Sequence, residues 1–278
     1  QTILSSQAFL DIVQTDLEFL DHKFVFLETL RENLTIKDKL ASKRLASDSL
    51  PQIYEAFNVK GRSSKDPAVV LFTSGSEALP KGVVLTHENI LSNIRGILEA
   101  FPLRNDDVLL GFLPTFHSFG LTVCTLLPLV TGLRVAYHPN PNESRKIAKI
   151  ISHWGASIMA GTPTFLRSIL QAGQPEQFAT LRTLISGAER APKDLFEKAK
   201  NLPSPVEIVE GYGITECSPV VSMNRLGEPR VGVGRPLEGT TIKIVNPTTY
   251  EGVSPGSDGL ILIKSPSVFP GYLDPTLN

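Results

Sequence analysis

Short apolar runs alternate with amphipathic stretches along most of the chain between residues 68 and 213. Compact apolar runs predict buried strands, whereas apolar positions recurring every three or four residues predict helices. Their alternation is typical of an α/β fold in which stacked, mostly parallel sheets are flanked by helices. The predicted strands are residues 68–73, 108–114, 133–138, 156–161, 180–187 and 206–213, and the predicted helices are residues 87–101, 143–153, 163–170 and 191–201.

Three local patterns refine this prediction. The continuous apolar run AVVLFT, residues 68–73, predicts a strand buried on both faces. Thr86 precedes an amphipathic stretch in which Ile90, Ile94 and Ile97 recur at helical spacing, so we expect Thr86 to be its N-cap. From about Gly227 the chain is rich in glycine and proline with short β-type runs, which predicts a β-rich, barrel-like piece at the C-terminal end.

The charge balance and the cysteines exclude several classes of function. Lys and Arg number 27 against 28 Asp and Glu, so the net charge is −1 and no basic surface for nucleic acid is expected. Cys124 and Cys217 form no C-x-x-C pair, and the histidines lack ligand-type spacing, which disfavours both a disulfide framework and a metal held by side chains alone. The most apolar run, residues 121–133, is too short to span a bilayer. We expect a cytoplasmic protein. A location at the inner face of the membrane stays an alternative for a longer, full-length protein.

The stretch FTSGSEALPKGVVLTH, residues 72–87, has the composition of a phosphate-binding loop. Glycines let neighbouring backbone N–H groups point at one anion, and hydroxyl and ammonium groups add further donors. The candidate phosphate-binding residues are Thr73, Ser74, Gly75, Ser76 and Lys81. The P-loop pattern G-x-x-x-x-G-K-[ST] is not met, because Gly82 follows Lys81 where that pattern needs a hydroxyl residue. A plain surface loop is the alternative.

A second motif, EGYGITECSP, spans residues 210–219 and follows a predicted strand. Tyr212 could stack on a base, and the glycines on either side would let the backbone come close to that base. Thr215 could contact a phosphate, and Glu216 could hold Mg²⁺, which prefers carboxylate together with phosphate oxygens. The alternatives are a half-buried aromatic residue at a strand end and a solvated acid.

Two further strand ends carry candidate residues. PTFHSFG, residues 114–120, places His117 between two phenylalanines, although a lone histidine there is more often a core residue. SGAER, residues 186–190, follows another predicted strand and could approach a base. Glycine-bearing motifs at the carboxyl ends of several strands favour a shared nucleotide crevice.

These motifs together resemble the adenylate-forming (AMP-binding) superfamily, which includes acyl-CoA synthetases, adenylation domains and beetle luciferases. FTSGSEALPKG is similar to its hallmark loop, residues 212–216 to its Y-G-x-T-E motif, and GVGRP and GLILIKSPSVFPGYL to its later glycine-rich motifs, in the same order. FTSGSE, FHSFGLTV, SGAE and EGYGITECSPVVS resemble in particular the acyl-[acyl-carrier-protein] synthetase part of 2-acylglycerophosphoethanolamine acyltransferases.

The resemblance implies an acid–thiol ligase that uses ATP and Mg²⁺ to convert a fatty acid to acyl-AMP and then to a thioester. The acceptor would be acyl carrier protein or coenzyme A, with a lysophospholipid as a further partner through a fused domain. The implied catalytic residues are Lys81, His117, Thr215 and Glu216, with Glu216 as the metal ligand. The implied nucleotide-binding residues are Thr73, Ser74, Gly75, Ser76, Lys81, Gly187, Ala188, Glu189, Gly211, Tyr212, Gly213 and Thr215.

The chain also departs from the family pattern. Glu77 replaces a threonine of the hallmark loop, Ala78 a glycine, and Leu260 the acid of the family's G-E-L motif. We expect a fragment of the family's large N-terminal domain. Its predicted parts are a partial first α/β subdomain (1–83), a second α/β subdomain (84–223) and a β-rich subdomain (224–278), without the C-terminal catalytic domain. Such a fragment is expected to be inactive alone. The alternatives are a non-catalytic nucleotide-binding relic and a P-loop-like NTPase.

Overall fold

The computed structural model describes residues 2–7, 10–11, 23–59, 61–73 and 80–278. The chain divides into two compact units, Gln1–Arg62 and Ser63–Asn278. The predicted site residues Ser74, Gly75 and Ser76 lie outside the described residues, as do Glu77 and Ala78.

The first unit contains one short parallel strand pair and three helices among its described residues. These elements are β1 (Ile3–Ser5), β2 (Phe24–Phe26), α1 (Leu27–Asn33), α2 (Ile36–Leu45) and α3 (Leu50–Ala56). Helix α2 begins after Thr35, whose backbone N–H donates to Asp38 Oδ2 at 2.8 Å while the Asp38 N–H donates to Thr35 Oγ1 at 3.2 Å. This reciprocal capping box satisfies backbone donors that the first helical turn leaves free. No residue of the three helices is buried.

The second unit contains the remaining elements. Its strands are β3 (Pro67–Thr73), β4 (Lys81–Thr86), β5 (Val108–Gly111), β6 (Arg134–Tyr137), β7 (Ile158–Gly161), β8 (Thr183–Ser186), β9 (Glu207–Gly213), β10 (Val220–Met223), β11 (Arg235–Pro236), β12 (Thr241–Val245) and β13 (Leu260–Lys264). Its α-helices are α4 (His87–Ala100), α5 (Leu127–Thr131), α6 (Ser144–Trp154), α7 (Pro163–Ala172) and α8 (Lys193–Lys200). A π-helix, Gly120–Leu126, runs directly into α5, and a 3₁₀ turn covers Thr215–Cys217.

A seven-stranded mixed sheet forms the centre of this unit, in the order β11-β10-β9-β8-β7-β5-β6. Strands β6, β5, β7, β8 and β9 are parallel, and β10 and β11 continue the sheet in antiparallel pairing. The prediction of an α/β fold with a largely parallel sheet is therefore confirmed. The β-rich character of the last residues corresponds to an antiparallel hairpin of β12 and β13.

Helices cover both faces of this sheet, which explains why its strands read as continuous apolar runs. Successive strand residues point to opposite faces, so Leu110 and Met159 belong to one apolar core cluster while Leu109 and Ile158 belong to the other. Residues of α6, α7 and α8 pack in the first cluster, and residues of α4 pack in the second.

The predicted N-cap of α4 is confirmed. The Asn89 N–H donates to Thr86 Oγ1 at 3.1 Å, and the Thr86 N–H donates to Asn89 Oδ1 at 3.0 Å. Asn89 also donates from Nδ2 to the carbonyls of Pro266 and Val268, at 2.8 and 2.9 Å. The cap therefore ties the start of α4 to a segment far along the chain.

The prediction that residues 68–73 form a strand buried on both faces is wrong. Among the described residues, strand β3 pairs with β4 alone, in a two-stranded antiparallel ribbon, and only alternate residues of β3 are covered. Leu71 is buried, whereas Phe72 is 64% exposed. An apolar run shows that a strand can be buried on both faces but not whether neighbouring elements cover both of them.

Candidate functional site

The carboxyl ends of the parallel strands form one edge of the sheet, and the predicted motifs follow these ends. Gly187 and Ala188 come directly after β8, Tyr212 lies at the end of β9, and His117 follows β5 after a short link. An open pocket of about 250 Å³ lies there. Seven of the predicted site residues line it, namely His117, Gly187, Ala188, Gly211, Tyr212, Gly213 and Thr215. The structure thus brings three separate sequence motifs together in one cavity, called the inner pocket below.

A larger open pocket of about 900 Å³, the outer pocket, adjoins the inner one. Both pockets are lined by Ala188 and by the segment Gly211–Gly213, so Tyr212 contributes to the wall that the two have in common. Glu189, a predicted site residue, lines only the outer pocket and accepts a hydrogen bond from Thr164 Oγ1 at 2.8 Å. Tyr212 is half-buried and lines both pockets.

Two backbone features shape this wall. Ala188 has a φ of 69°, in the left-handed region that non-glycine residues rarely adopt. At Gly213, an added Cβ would lie 2.2 Å from the Pro219 carbonyl oxygen, so only glycine allows β9 to approach the following loop this closely. Close backbone approach therefore explains one of the two glycines beside Tyr212.

Buried polar side chains fix the turn that carries Thr215 and Glu216. Asn93 of α4 donates from Nδ2 to the carbonyls of Cys217 and Val220, at 3.2 and 2.7 Å, and its Oδ1 accepts the Val220 N–H at 3.2 Å. Thr215 Oγ1 lies 3.1 Å from Ser118 Oγ, within hydrogen-bond distance. The turn is therefore held from α4 and from the segment that carries His117.

Lys81 and Glu216 both contact Tyr272. The Tyr272 hydroxyl donates to Glu216 Oε1 at 2.9 Å, and Lys81 Nζ lies 5.6 Å from the centre of the Tyr272 ring, within cation–π range. Burial, together with the hydrogen bond to Glu216 and the charge of that carboxylate, raises the pKa of Tyr272. The hydroxyl therefore stays protonated and donates at neutral pH. Glu216 is accordingly not a free solvated acid.

Two of the predicted phosphate-binding residues lie on strands, Thr73 on β3 and Lys81 on β4. Thr73 ends β3 and is the register partner of Lys81, which begins β4. Strand β4 was missed because its short run KGVVLT follows the glycine-rich stretch and directly precedes the cap of α4. Lys81 and Thr73 thus lie side by side at one end of the ribbon, and the Leu273 N–H donates to the Gly82 carbonyl there at 2.7 Å.

His117 is exposed at the mouth of the inner pocket, so the core-histidine alternative is wrong. Its ring lies beside that of Phe116, with 5.8 Å between the centres. Cys217, next to Glu216, is buried, and burial together with the charge of Glu216 raises the pKa of its thiol to about 12. Cys217 is therefore a neutral thiol at physiological pH and not a nucleophile.

Sequence reasoning missed several residues of this site. Tyr272 and Ser118 were inside quoted motifs but had no assigned role. Asn93 gave a detectable signal, because it falls on the apolar face of α4, one position before Ile94, where a buried amide needs partners. Arg230 and Glu210 form an ion pair in the outer pocket, and the Arg230 guanidinium lies 4.1 Å from the centre of the Phe196 ring.

The described residues do not form a metal-binding cluster of three or more His, Cys, Asp or Glu side chains. A Mg²⁺ site with a single protein carboxylate keeps waters and gains its other ligands from phosphates. Over the same part of the chain, no helix combines the length and apolar character that crossing a bilayer requires.

Comparison with known proteins identifies the family. Residues 11–273 match the AMP-binding enzyme family. The chain is 30% identical over 227 residues to 4-coumarate-CoA ligase 2 of Narcissus pseudonarcissus, covering 77% of this chain and 40% of that protein. It is 30% identical over 213 residues to a long-chain-fatty-acid–CoA ligase of Bacillus subtilis, covering 74% and 38%. The chain thus spans less than half the length of these relatives.

Solved structures agree. The structure superposes on ATP-bound MatB of Rhodopseudomonas palustris with a TM-score of 0.69 at 30% identity, covering 77% of this chain and 42% of that one. The fold of O-succinylbenzoate coenzyme A synthetase from Bacillus subtilis, solved with ATP and magnesium ion, matches with a TM-score of 0.76 at 19% identity, covering 99% and 52%. The chain therefore belongs to the AMP-binding enzyme family.

Proposed function

We propose that this chain is part of an ATP-dependent acid–thiol ligase. In the proposed reaction a carboxylate attacks the α-phosphate of ATP and releases pyrophosphate, and a thiol then displaces AMP from the acyl-AMP. The observation that carries the proposal is the pair of adjoining pockets that share Tyr212 and Ala188. Two substrates that react with each other need sites that lie next to each other, and catalysis by positioning needs no protein nucleophile.

In this proposal the outer pocket takes the nucleotide base and the inner pocket takes the acid. Tyr212 would stack on adenine, with the backbone of Ala188, Glu189, Gly211 and Gly213 around it. Gly187 would approach the base from the side of the inner pocket. Thr215 would contact the α-phosphate, where its hydroxyl already lies beside Ser118 Oγ. His117, at the mouth of the inner pocket, would line the entrance for the acid.

Lys81 would neutralise the terminal phosphates together with Thr73, Ser74, Gly75 and Ser76. Glu216 would hold Mg²⁺, which offsets negative charge on the triphosphate when bound. Support comes from the shared contact of Lys81 and Glu216 with Tyr272, because this contact connects the end of the β3–β4 ribbon to the Thr215–Cys217 turn. The named relatives solved with ATP, and in one case with magnesium ion, support both ligands.

The acceptor thiol is proposed to belong to coenzyme A or to acyl carrier protein. The names of the matched relatives, CoA ligases, favour coenzyme A. The resemblance of FTSGSE and EGYGITECSPVVS to acyl-[acyl-carrier-protein] synthetases favours the carrier protein, with a lysophospholipid as the final acceptor in a fused acyltransferase. We keep the division into subdomains 1–83, 84–223 and 224–278 as part of the same proposal.

The proposal is tested by acid-dependent ATP–pyrophosphate exchange in the full-length protein, together with calorimetric titration of MgATP. Lys81→Ala and Glu216→Ala are each expected to weaken MgATP binding. The exposed residues Lys149 and Glu251 provide matched controls, since Lys149→Ala and Glu251→Ala remove the same charges away from both pockets.

Equal MgATP affinity in the test and control variants would overturn the site assignment. MgATP binding without exchange for any acid would instead favour the non-catalytic nucleotide-binding relic. Hydrolysis of ATP to ADP in the absence of any acid would favour an NTPase.

A further inference from the structure

A small apolar cavity lies beside the inner pocket. It has a volume of about 20 Å³ and only apolar side chains around it, including Phe101 and Leu109. Such a cavity holds about one water-sized group, and a void without polar partners stays dry. It shares three lining residues with the inner pocket, Ile97, Val123 and Ile185. We call these three residues the collar.

The collar is built from three different elements. Ile97 comes from α4, Val123 from the π-helix and Ile185 from β8. Ile97 and Val123 are each 5% exposed, so their side chains are packed on the core side as well as toward the pocket. Aliphatic side chains alone thus separate the inner pocket from the dry cavity.

We infer that the collar sets the length of the acyl chain that the inner pocket accepts, and that the preferred substrate is a medium-chain aliphatic acid. This inference rests on the proposed function, which places the carboxylate near Thr215. Thr215 and Ser118 place hydroxyl groups at the reacting end, whereas the collar places aliphatic side chains at the boundary with the apolar cavity, where the alkyl tail would end. On the measure by which a cavity of about 20 Å³ holds about one group, the inner pocket of about 250 Å³ holds roughly twelve.

The chain-length profile follows from the cost of leaving methylene groups in water. Each methylene buried in the inner pocket is expected to raise affinity about fourfold until the tail reaches the collar, and further carbons then add nothing. Ile97→Ala removes three carbon atoms from the collar and opens the dry cavity. The rise in affinity should then continue for roughly three to four more carbons, since about one further group fits the cavity.

The test measures linear carboxylic acids from butyric to palmitic acid with the full-length protein. Affinity is followed by calorimetric titration and turnover by pyrophosphate exchange. Ile97→Ala should move the plateau to longer acids in both assays. Val123→Leu adds one carbon to a collar side chain, so it should leave the plateau in place or move it to shorter acids. Ile151→Ala is the matched control, because Ile151 is fully buried in the other core cluster, on α6.

An unchanged plateau in Ile97→Ala, or an equal change in Ile151→Ala, would overturn the inference even though exchange continues. If Ile97→Ala does not fold, Ile97→Val decides, with an expected extension of about one carbon and a constant plateau as the contrary result. Absence of binding and exchange with every acid in the unmodified protein would overturn the proposed function as well. Failure of the collar and failure of the ligase proposal are therefore distinguishable.

Discussion

Replacing Asn93 by alanine should loosen the turn that carries Thr215 and Glu216. The Asn93 side chain is 1% exposed and makes three hydrogen bonds to backbone groups of Cys217 and Val220. Asn93→Ala removes all three and leaves two carbonyls and one N–H without this partner. Each such hydrogen bond contributes about 1 kcal/mol net, and an unsatisfied buried group costs about 1–3 kcal/mol.

We therefore expect Asn93→Ala to lower the free energy of unfolding by about 3 kcal/mol. For a chain of this size that corresponds to a fall in Tm of about 6–12 °C. Urea denaturation at neutral pH measures the first quantity and calorimetry the second. Asn142→Ala is the control, because Asn142 is exposed and its replacement should change stability by less than about 0.5 kcal/mol.

Hydrogen exchange provides the local readout. The Val220 N–H loses its acceptor in Asn93→Ala and should exchange faster relative to the Val209 N–H, which lies in the central part of the sheet. A stability loss below about 1 kcal/mol would refute the proposed role of Asn93 in holding the turn. So would a larger loss that left the ratio of these two exchange rates unchanged.

Three other predictions concern pH and backbone strain. Burial acts to raise the pKa of Asp107, but hydrogen bonds from Arg182, the Arg104 N–H and Ser157 outweigh burial, and the net pKa is lowered. The ionised Asp107 carboxylate therefore stabilises the fold above pH about 4, and this stabilisation is lost as the pH falls through the lowered pKa. Asp107→Ala, which leaves Arg182 unpaired, should cost about 3–5 kcal/mol in urea denaturation at pH 7 and much less at acid pH; an equal cost at both would contradict this account. Tyr272→Phe should lower the free energy of unfolding by about 1–2 kcal/mol near neutral pH. Because the pKa of Tyr272 is raised in the folded state, the difference between the two proteins should disappear as the pH rises above about 10. A difference that persists there would contradict this account. Ala188→Gly should raise the free energy of unfolding by up to about 1 kcal/mol, because glycine tolerates a φ of 69°. A clear loss of stability would instead show that packing of the alanine methyl group outweighs the backbone strain.

The sequence was informative where the signal is local. The apolar run before Tyr212 located β9, and Thr86 followed by helical spacing located the start of α4. The glycine-bearing motifs at strand ends predicted a common crevice because parallel strands end at one edge, and three of the motifs do line one pocket.

The sequence was uninformative where a residue's role depends on distant partners. Phe72 continues an apolar run, yet it is exposed because no element among the described residues covers that face of β3. Tyr272 and Glu216 are far apart along the chain, and no local pattern announces their hydrogen bond. The collar could not be predicted for the same reason, since its members come from three separated elements.

The wall common to the two pockets limits how this protein can be altered. A change at Tyr212 or Ala188 alters both pockets at once. Under the proposed assignment, selectivity for the base and for the acid could therefore not be adjusted independently there. Of these two pockets, Phe196 lines only the outer one and Ile97 lines only the inner one. If the proposal holds, substitutions that change the preferred acid without changing nucleotide binding are expected on α4 and the π-helix, and the end of β9 is expected to stay unchanged.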